Sequence, residues 1–327
     1  AVGRGGTGGI INRVLKKGVL GFEFNEYETA VDSFGGYRGQ IDSNVSVSEN
    51  AAFRVNAMYE HLENHRDYFD GDRFGLNPTY RIEISEDTLL DLSYEYVNNE
   101  RFIDRGIPTG TDGEPVEAFE DLFFGDTDLN YTDLEAHILR ANVQHRFSDR
   151  LKARFNASFG DYDKVYSNFY ASAYDAAKTP GRVTLDGYVD TTQRQNLILS
   201  ADLIGEFKTG SVKHRILTGV EFIETSNDND RFNSNFNTNP SDPDTETFLI
   251  GNQVLRNGVG TSVNGLTRND FTVDLNDDTS ADVTTGSLYI QDEIDVNDQL
   301  RLVLGARFDS FEIDALDRKT GITRSRR

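Results

Sequence analysis

Leu151-Lys152-Ala153-Arg154-Phe155-Asn156-Ala157-Ser158-Phe159-Gly160 changes character at every step. Leu151, Ala153, Phe155, Ala157 and Phe159 fall on one side, and Lys152, Arg154, Asn156, Ser158 and Gly160 on the other. Successive side chains of a strand point to opposite faces, so a period of two predicts a strand with one apolar and one strongly polar face. The pattern recurs. Leu300, Leu302, Leu304, Ala306 and Phe308 oppose Arg301, Gly305, Arg307 and Asp309. Phe53, Val55, Ala57 and Tyr59 oppose Arg54, Asn56, Met58 and Glu60, while Leu90, Leu92, Tyr94 and Tyr96 oppose Asp91, Ser93 and Glu95. Eleven strands follow, at 19–29, 35–47, 52–63, 73–84, 89–101, 133–147, 151–164, 192–207, 212–226, 284–295 and 299–313. A soluble β-sandwich alternates in the same way, so alternation alone does not choose the solvent.

The connections discriminate better. Short polar turns lie at Ser48-Glu49-Asn50, Ser85-Glu86-Asp87, Ser148-Asp149-Arg150, Thr209-Gly210-Ser211 and Val296-Asn297-Asp298. Between them come long polar stretches at 64–72, 103–132, 165–190 and 227–282. Strict alternation of short and long connections is the pattern of an outer-membrane barrel, with short periplasmic turns and long external loops. Structureless connections of that length are uncommon inside a compact soluble domain. The expected fold is therefore all-β, a transmembrane antiparallel β-barrel. In that fold Phe53, Val55, Leu90, Leu92, Phe155, Phe159, Leu302 and Leu304 face lipid. Arg54, Asp91, Lys152, Arg154, Arg301 and Arg307 face the lumen. Bacterial single-chain barrels use even strand numbers. Eleven strands therefore leave the sheet open, and residues 315–327 are expected to enter a further external loop.

Composition agrees. The chain has 327 residues, 37% of them hydrophobic, with 22 Phe and 14 Tyr, which suits strands with one apolar face. No run approaches the ~18 apolar residues of a spanning helix. A net charge of −22 argues against a nucleic-acid partner, which calls for a basic face. The absence of cysteine removes disulfides and thiolate metal sites. The first residue is Ala1 and no signal-peptide pattern follows, so more chain is expected before it.

The sharpest local motif is Gly3-Arg4-Gly5-Gly6-Thr7-Gly8-Gly9-Ile10-Ile11-Asn12-Arg13-Val14-Leu15-Lys16-Lys17. Gly3, Gly5 and Gly8 satisfy the dinucleotide spacing G-x-G-x-x-G, but that fingerprint needs a preceding strand and a following helix, and no βαβ pattern appears. The stretch instead resembles the end of the plug domain of TonB-dependent siderophore receptors, which runs G-R-G-x-x-G-G-x-I-N-x-V-x-K into the first barrel strand. Gly3, Arg4, Gly5, Gly8, Gly9, Ile11 and Asn12 carry the match, and Leu15 stands where Thr is frequent. Asp104-Arg105-Gly106-Ile107-Pro108 is similar to the element after the fifth strand of these receptors. Ser287-Leu288-Tyr289-Ile290-Gln291-Asp292-Glu293 with Leu304-Gly305-Ala306-Arg307-Phe308-Asp309 resembles a mid-barrel strand pair.

The resemblance implies residues 1–17 as a remnant of the plug's C-terminal end, and 18–327 as the N-terminal half of a barrel of about 22 strands. It places the TonB box and most of the plug before Ala1, and further strands after Arg327. It implies uptake of a ferric siderophore at the bacterial outer membrane, energised through the TonB complex, with outer-membrane lipid and lipopolysaccharide around the barrel. No cofactor, resident metal or catalytic set is called for. Aromatic residues of the external connections are then candidates for the ligand wall: Tyr68, Phe69, Phe102, Phe119, Phe123, Phe124, Tyr166, Phe169, Tyr170 and Tyr174, with Arg105 as anion partner. Stacking and cation–π contacts suit flat catecholate or hydroxamate groups. The same residues equally suit packing of loops on one another, or an interfacial belt.

Rival readings remain at this stage. A passive porin has no plug, so the Gly3–Lys17 motif opposes it. A soluble adhesin would make the alternation of turn lengths accidental. Heme, cobalamin or a glycan are alternative cargoes within the same family. His61 and His65 lie four apart but match no metalloprotease order. Asp274-x-Asn276-x-Asp278 opens like a calcium loop, yet Thr279 and Thr285 occupy the positions of the required Gly and Glu.

Overall fold

The protein is described by a computed structural model covering residues 13–236, 244–255 and 274–326. Its strands are β1 (Phe24–Val31), β2 (Tyr37–Ser48), β3 (Ala51–Glu63), β4 (Asp70–Ser85), β5 (Thr88–Phe102), β6 (Gly125–Asp126), β7 (Tyr131–Ser148), β8 (Leu151–Ala173), β9 (Arg182–Thr209), β10 (Val212–Asn233), β11 (Thr245–Leu249), β12 (Val254–Leu255), β13 (Leu275–Asn297), β14 (Leu300–Asp317) and β15 (Ile322–Arg326). One antiparallel sheet runs β1-β2-β3-β4-β5-β7-β8-β9-β10-β13-β14-β15, with β11 beside the upper end of β9. Its two end strands do not pair with each other, so the sheet is open.

All eleven expected strands are present. The five short turns all lie at one end of the sheet, and four of them share a device. Register shifts occur at Ser46/Ser48, Glu83/Ser85, Arg146/Ser148 and Asp295/Asn297, one step from the turn in each case. A bulge adds the twist a tight reversal needs. The fifth turn, between Thr209 and Val212, pairs without a shift and has Gly210 at φ 63°. There glycine supplies the positive φ instead. Pro78 sits within β4 without a ladder partner on β5, and the Asn77 side chain donates to the Tyr94 carbonyl at 2.6 Å in place of the missing amide.

The two faces separate as the alternation predicts. Arg54 pairs with Asp42, Arg81 with Asp91, Arg154 with Asp202, and Arg307 with Glu221 and Asp309, all on one side. Phe53, Leu92, Phe155, Phe159, Leu302 and Leu304 stand exposed on the other. Aromatic and histidine rings rim this apolar band above (Tyr37–Tyr59, Phe74–Tyr96, Tyr94–His137) and below (His145–Phe147, Phe207–His214). From His137 to Phe147, β7 measures about 33 Å along the strand. Tilted by about 40°, that is about 25 Å, the height of the apolar band in outer-membrane barrels.

Three expectations are corrected. The 165–190 and 227–282 stretches are not loops throughout. β8 continues to Ala173, β9 begins at Arg182, β10 runs to Asn233 and β13 starts at Leu275, so paired strands rise well beyond the band. Polar Asn, Asp and Thr fill both faces of the β10 and β13 extensions, which hides the alternation there while the backbone ladder persists; on β9, Val183, Leu185 and Val189 still alternate with Thr184, Asp186 and Asp190. Asn276 and Asp278 therefore lie on a strand, not in a cation loop, and no metal-binding group occurs among the described residues. Residues 315–326 do not enter a long loop either. β14 ends at Asp317, Gly321 takes φ 69°, and β15 returns to pair with β14. The open sheet thus rests on unpaired edges, not on an odd strand count. The plug-like motif Gly3, Arg4, Gly5, Gly8, Gly9, Ile11 and Asn12 lies outside the described residues.

Candidate ligand-binding site

The strands that outreach the band carry the site. Along β8 the even residues continue the polar face of Lys152 and Arg154, with no register shift before Ala171. Tyr166, Asn168 and Tyr170 therefore look inward, and Ser167 and Phe169 outward. On β9, Tyr188 lies opposite Asn168 and Asp190 opposite Tyr166, also inward. On β10, Arg231 faces Asp190.

These inward groups make one cluster. The Arg105 guanidinium lies 4.0 Å from the Tyr170 ring centroid and 5.9 Å from that of Tyr188. Its Nη1 donates to Asn168 Oδ1 and to the Tyr188 hydroxyl, each at 3.3 Å. Tyr188 stacks on Tyr166 at 6.1 Å and meets Tyr170 edge-on at 6.2 Å. Arg231 covers Tyr188 at 4.4 Å while it grips Asp190 through two bonds of 2.6 Å. A cleft of about 540 Å³ opens beside them, lined by Lys164, Tyr166, Asp190 and Arg231 among others. Burial holds the Tyr166 phenol above its ordinary pKa, and burial with the Asp186 carboxylate does the same for Tyr170. Both phenols keep their protons near neutrality, and Tyr170 donates a hydrogen bond to Asp186 at 3.1 Å.

The motif Asp104-Arg105-Gly106 explains how Arg105 comes to be presented. Asp104 accepts from Arg66 Nε and from the Gly106 amide, both at 2.7 Å. Gly106 sits at φ 81°, which an L side chain rarely adopts. Arg66 in turn donates to the carbonyls of Glu120 and Leu122, tying down the β5–β7 connection. Asp104 is thus satisfied by Arg66, and no carboxylate among the described residues pairs with Arg105. In a strongly acidic chain, that leaves a guanidinium free to meet an anion.

The other aromatic candidates do different work. Phe124 and Phe169 are 1% and 0% exposed, in a core with Val183, Leu185, Phe236 and Phe248 on the outward side of the β8–β9 extension. Phe119 packs on Phe124 and Tyr174, and Phe123 on Phe102 and Tyr68. The expectation of a ligand wall at Phe123, Phe124 and Phe169 does not match this burial, and the partly buried Phe119 packs on the same core; these residues hold together the crown that the strand extensions and long connections form above the band. Tyr166 and Tyr170 keep their inward position, but on a strand. Buried Asn130 completes the packing. It donates to the carbonyls of Ile103 and Phe169 and accepts from the amides of Asp126 and Phe169. Sequence reading missed Tyr188, Asn168 and Arg231. The signal for them was the alternation itself, had β9 been carried up to Arg182.

Comparison with known proteins decides the family. Residues 73–326 match the model for the TonB dependent receptor-like β-barrel. The chain belongs to that family. It is 27% identical over 317 residues to the metal-pseudopaline receptor CntO of Pseudomonas aeruginosa, covering 95% of this chain and 42% of that protein. The crystal structure of the siderophore receptor PiuA from Acinetobacter baumannii superposes with a TM-score of 0.76 at 20% identity, over 95% of this chain and 46% of that one. The closed form of the ferric-catecholate import receptor Fiu from Escherichia coli K12 gives 0.77 at 21% identity, over 94% and 44%. This chain thus spans less than half the length of each. These relatives are receptors and importers, not enzymes, and the sheet is a barrel wall of the Gram-negative outer membrane.

Proposed function

We propose that residues 18–327 form the N-terminal half of the barrel of an outer-membrane receptor that takes up a ferric siderophore through TonB. Arg105, Tyr166, Tyr170 and Tyr188 would form part of the external binding wall. The observation that carries this reading is Arg105: a guanidinium lying on two tyrosine rings, without a carboxylate partner, at the inner side of the crown. An iron chelate with anionic, flat ligand arms fits such a surface by charge and by stacking. Residues 1–17 are read as the end of the plug. In support, Arg13–Lys17 are not in a strand and make ion pairs with the lumen side of the wall. The outward band meets lipid and, above it, lipopolysaccharide.

Uptake of iron-labelled siderophore by cells carrying the full-length protein tests the proposal. Import is expected to need both TonB and the proton gradient, and uptake that persists without either points to a passive porin. Similarity to a metal-pseudopaline receptor favours a second reading, a chelate of another metal. Competition between ferric and non-ferric chelates for binding separates the two.

A further inference from the structure

Three carboxylates on the inner wall share one arrangement. Asp42 on β2 accepts two bonds from Arg54 on β3, at 2.7 and 2.6 Å, and one from Lys16 at 2.7 Å. Asp91 on β5 accepts two from Arg81 on β4, at 2.6 and 3.0 Å, and one from Lys17 at 2.8 Å. Glu95 on β5 accepts from Arg140 on β7 at 2.8 Å and pairs with Arg13. Each acid therefore has one cation from the wall and one from the segment 13–17. The acids are buried, with side chains 8%, 11% and 4% exposed for Asp42, Asp91 and Glu95. The segment's cations are 57%, 41% and 61% exposed.

A buried charge stripped of its only partner is strongly destabilising. Here the acids keep their arginines if the segment leaves, and the segment's cations are already half hydrated. The exposed half of each arrangement is the half that salt screens. A few residues further on, the attachment changes in kind. Asn44, 1% exposed, accepts from the Val19 amide at 2.9 Å and donates to the carbonyls of Val19 and Phe22 at 2.9 and 2.6 Å. These bonds join neutral groups and are out of reach of ions. Between the two attachments, Gly18 passes so close to the wall that a Cβ would lie 2.9 Å from the Ala52 carbonyl oxygen.

We infer that residues 13–17 are a salt-releasable clip, and that Asn44 is the fixed post at which detachment of the chain ahead of it stops. The wall is built to survive the departure of the clip without an orphaned charge. This holds whichever chelate the crown takes, and it does not depend on the reading of Arg105.

Spin labels in the full-length protein test it, one at Val14→Cys and one at Val19→Cys; these 327 residues contain no cysteine, and any cysteine elsewhere in the protein is replaced by serine. Raising salt from about 0.1 M to about 1 M shortens the screening length from about 10 Å to about 3 Å. The label at 14 is expected to lose its immobile component over this range, and the label at 19 to keep it. With Arg13→Gln, Lys16→Gln and Lys17→Gln combined, the label at 14 should be mobile already at low salt, while the barrel keeps its heat-dependent gel migration. Adding Asn44→Leu should then free the label at 19. If that last variant does not fold, the salt series on the unmodified wall still decides. A label at 14 that stays immobile in the triple variant overturns the inference. So does joint release of both labels by salt with Asn44 intact.

Discussion

The β8–β9 hairpin does two different things along its length. Inside the band, its outward residues Phe155, Phe159, Leu197 and Leu199 belong to the lipid face, and its inward residues Arg154 and Asp202 form a lumen ion pair. Above the band, the outward face is covered instead. Phe169, Val183 and Leu185 are sealed under Phe124, Phe236 and Phe248, while the inward face keeps Tyr166, Tyr170 and Tyr188 partly open. The same period of two thus serves two solvents. Where lipid ends, the apolar side needs protein to cover it, and the long connections supply that cover. The polar side there presents Tyr166, Tyr170, Tyr188 and Arg105, the surface proposed for the ligand.

The comparison breaks most visibly at Phe169. Phe169→Ala empties the crown core and is expected to cost about 3–5 kcal/mol of local stability. Hydrogen exchange should speed up across the β5–β7 connection and upper β9, with the melting of the barrel unchanged. Within the band, the same face answers to lipid. Phe155→Arg should cost about 2–4 kcal/mol of folding free energy into bilayers, whereas Ser158→Arg, on the lumen side of the same strand, should stay within about 0.5 kcal/mol. Equilibrium folding from urea into vesicles measures both. On the inward face of the crown, Arg105→Ala should weaken ferric-siderophore binding by about 1–3 kcal/mol and leave the heat-stability of the barrel as it was.

The smallest effect is electrostatic. Asp230 stands directly opposite Asp278 across β10 and β13. Burial first, and the facing carboxylate second, raise its pKa above the ordinary aspartate value, with Arg318 opposing. A carboxyl raised in the folded state favours the protonated form. Its contribution is present in full below the unfolded value of about 3.9 and is lost as pH rises through the folded value. Exchange protection at 226–233 should therefore improve slightly on acidification just above that value, and Asp230→Asn should flatten the trend.

Legibility followed the same division. Eleven of the twelve strands on the sheet's continuous path could be found because lipid demands a continuous apolar row, written in residues such as Leu151 to Phe159; the short β15 was not among them. The turns were legible because short polar clusters such as Ser48-Glu49-Asn50 and Thr209-Gly210-Ser211 interrupt the alternation, whereas the bulges beside four of them leave no such mark. The crown was not. Its β10 and β13 extensions carry Thr, Asp and Asn on both faces, and at 182–191 the apolar row Val183, Leu185, Val189 is short and interrupted by Gly187, so the stretch reads as a loop while its backbone pairs throughout. Tyr188 and Arg231 were lost with it. Asn130 was invisible for another reason: a buried amide that knits two connections has no periodicity at all. Phe124 and Phe169 were legible as aromatic but not as buried, because burial there depends on β11 and the β5–β7 connection folding over them.

The most direct test of the two-faced hairpin is a ligand footprint on neighbouring residues that point opposite ways. Single cysteines at Lys164 and Thr192 look inward beside the Tyr166–Tyr188 cluster, and single cysteines at Asp163 and Thr191 look outward one residue away. Thiol labelling on cells bearing the full-length receptor is followed with and without the proposed cargo, a ferric siderophore. Protection is predicted at 164 and 192, with labelling at 163 and 191 unchanged. Protection at 163 and 191 but not at 164 and 192, or at none of the four, would contradict the assignment of the inward face of the crown to the ligand.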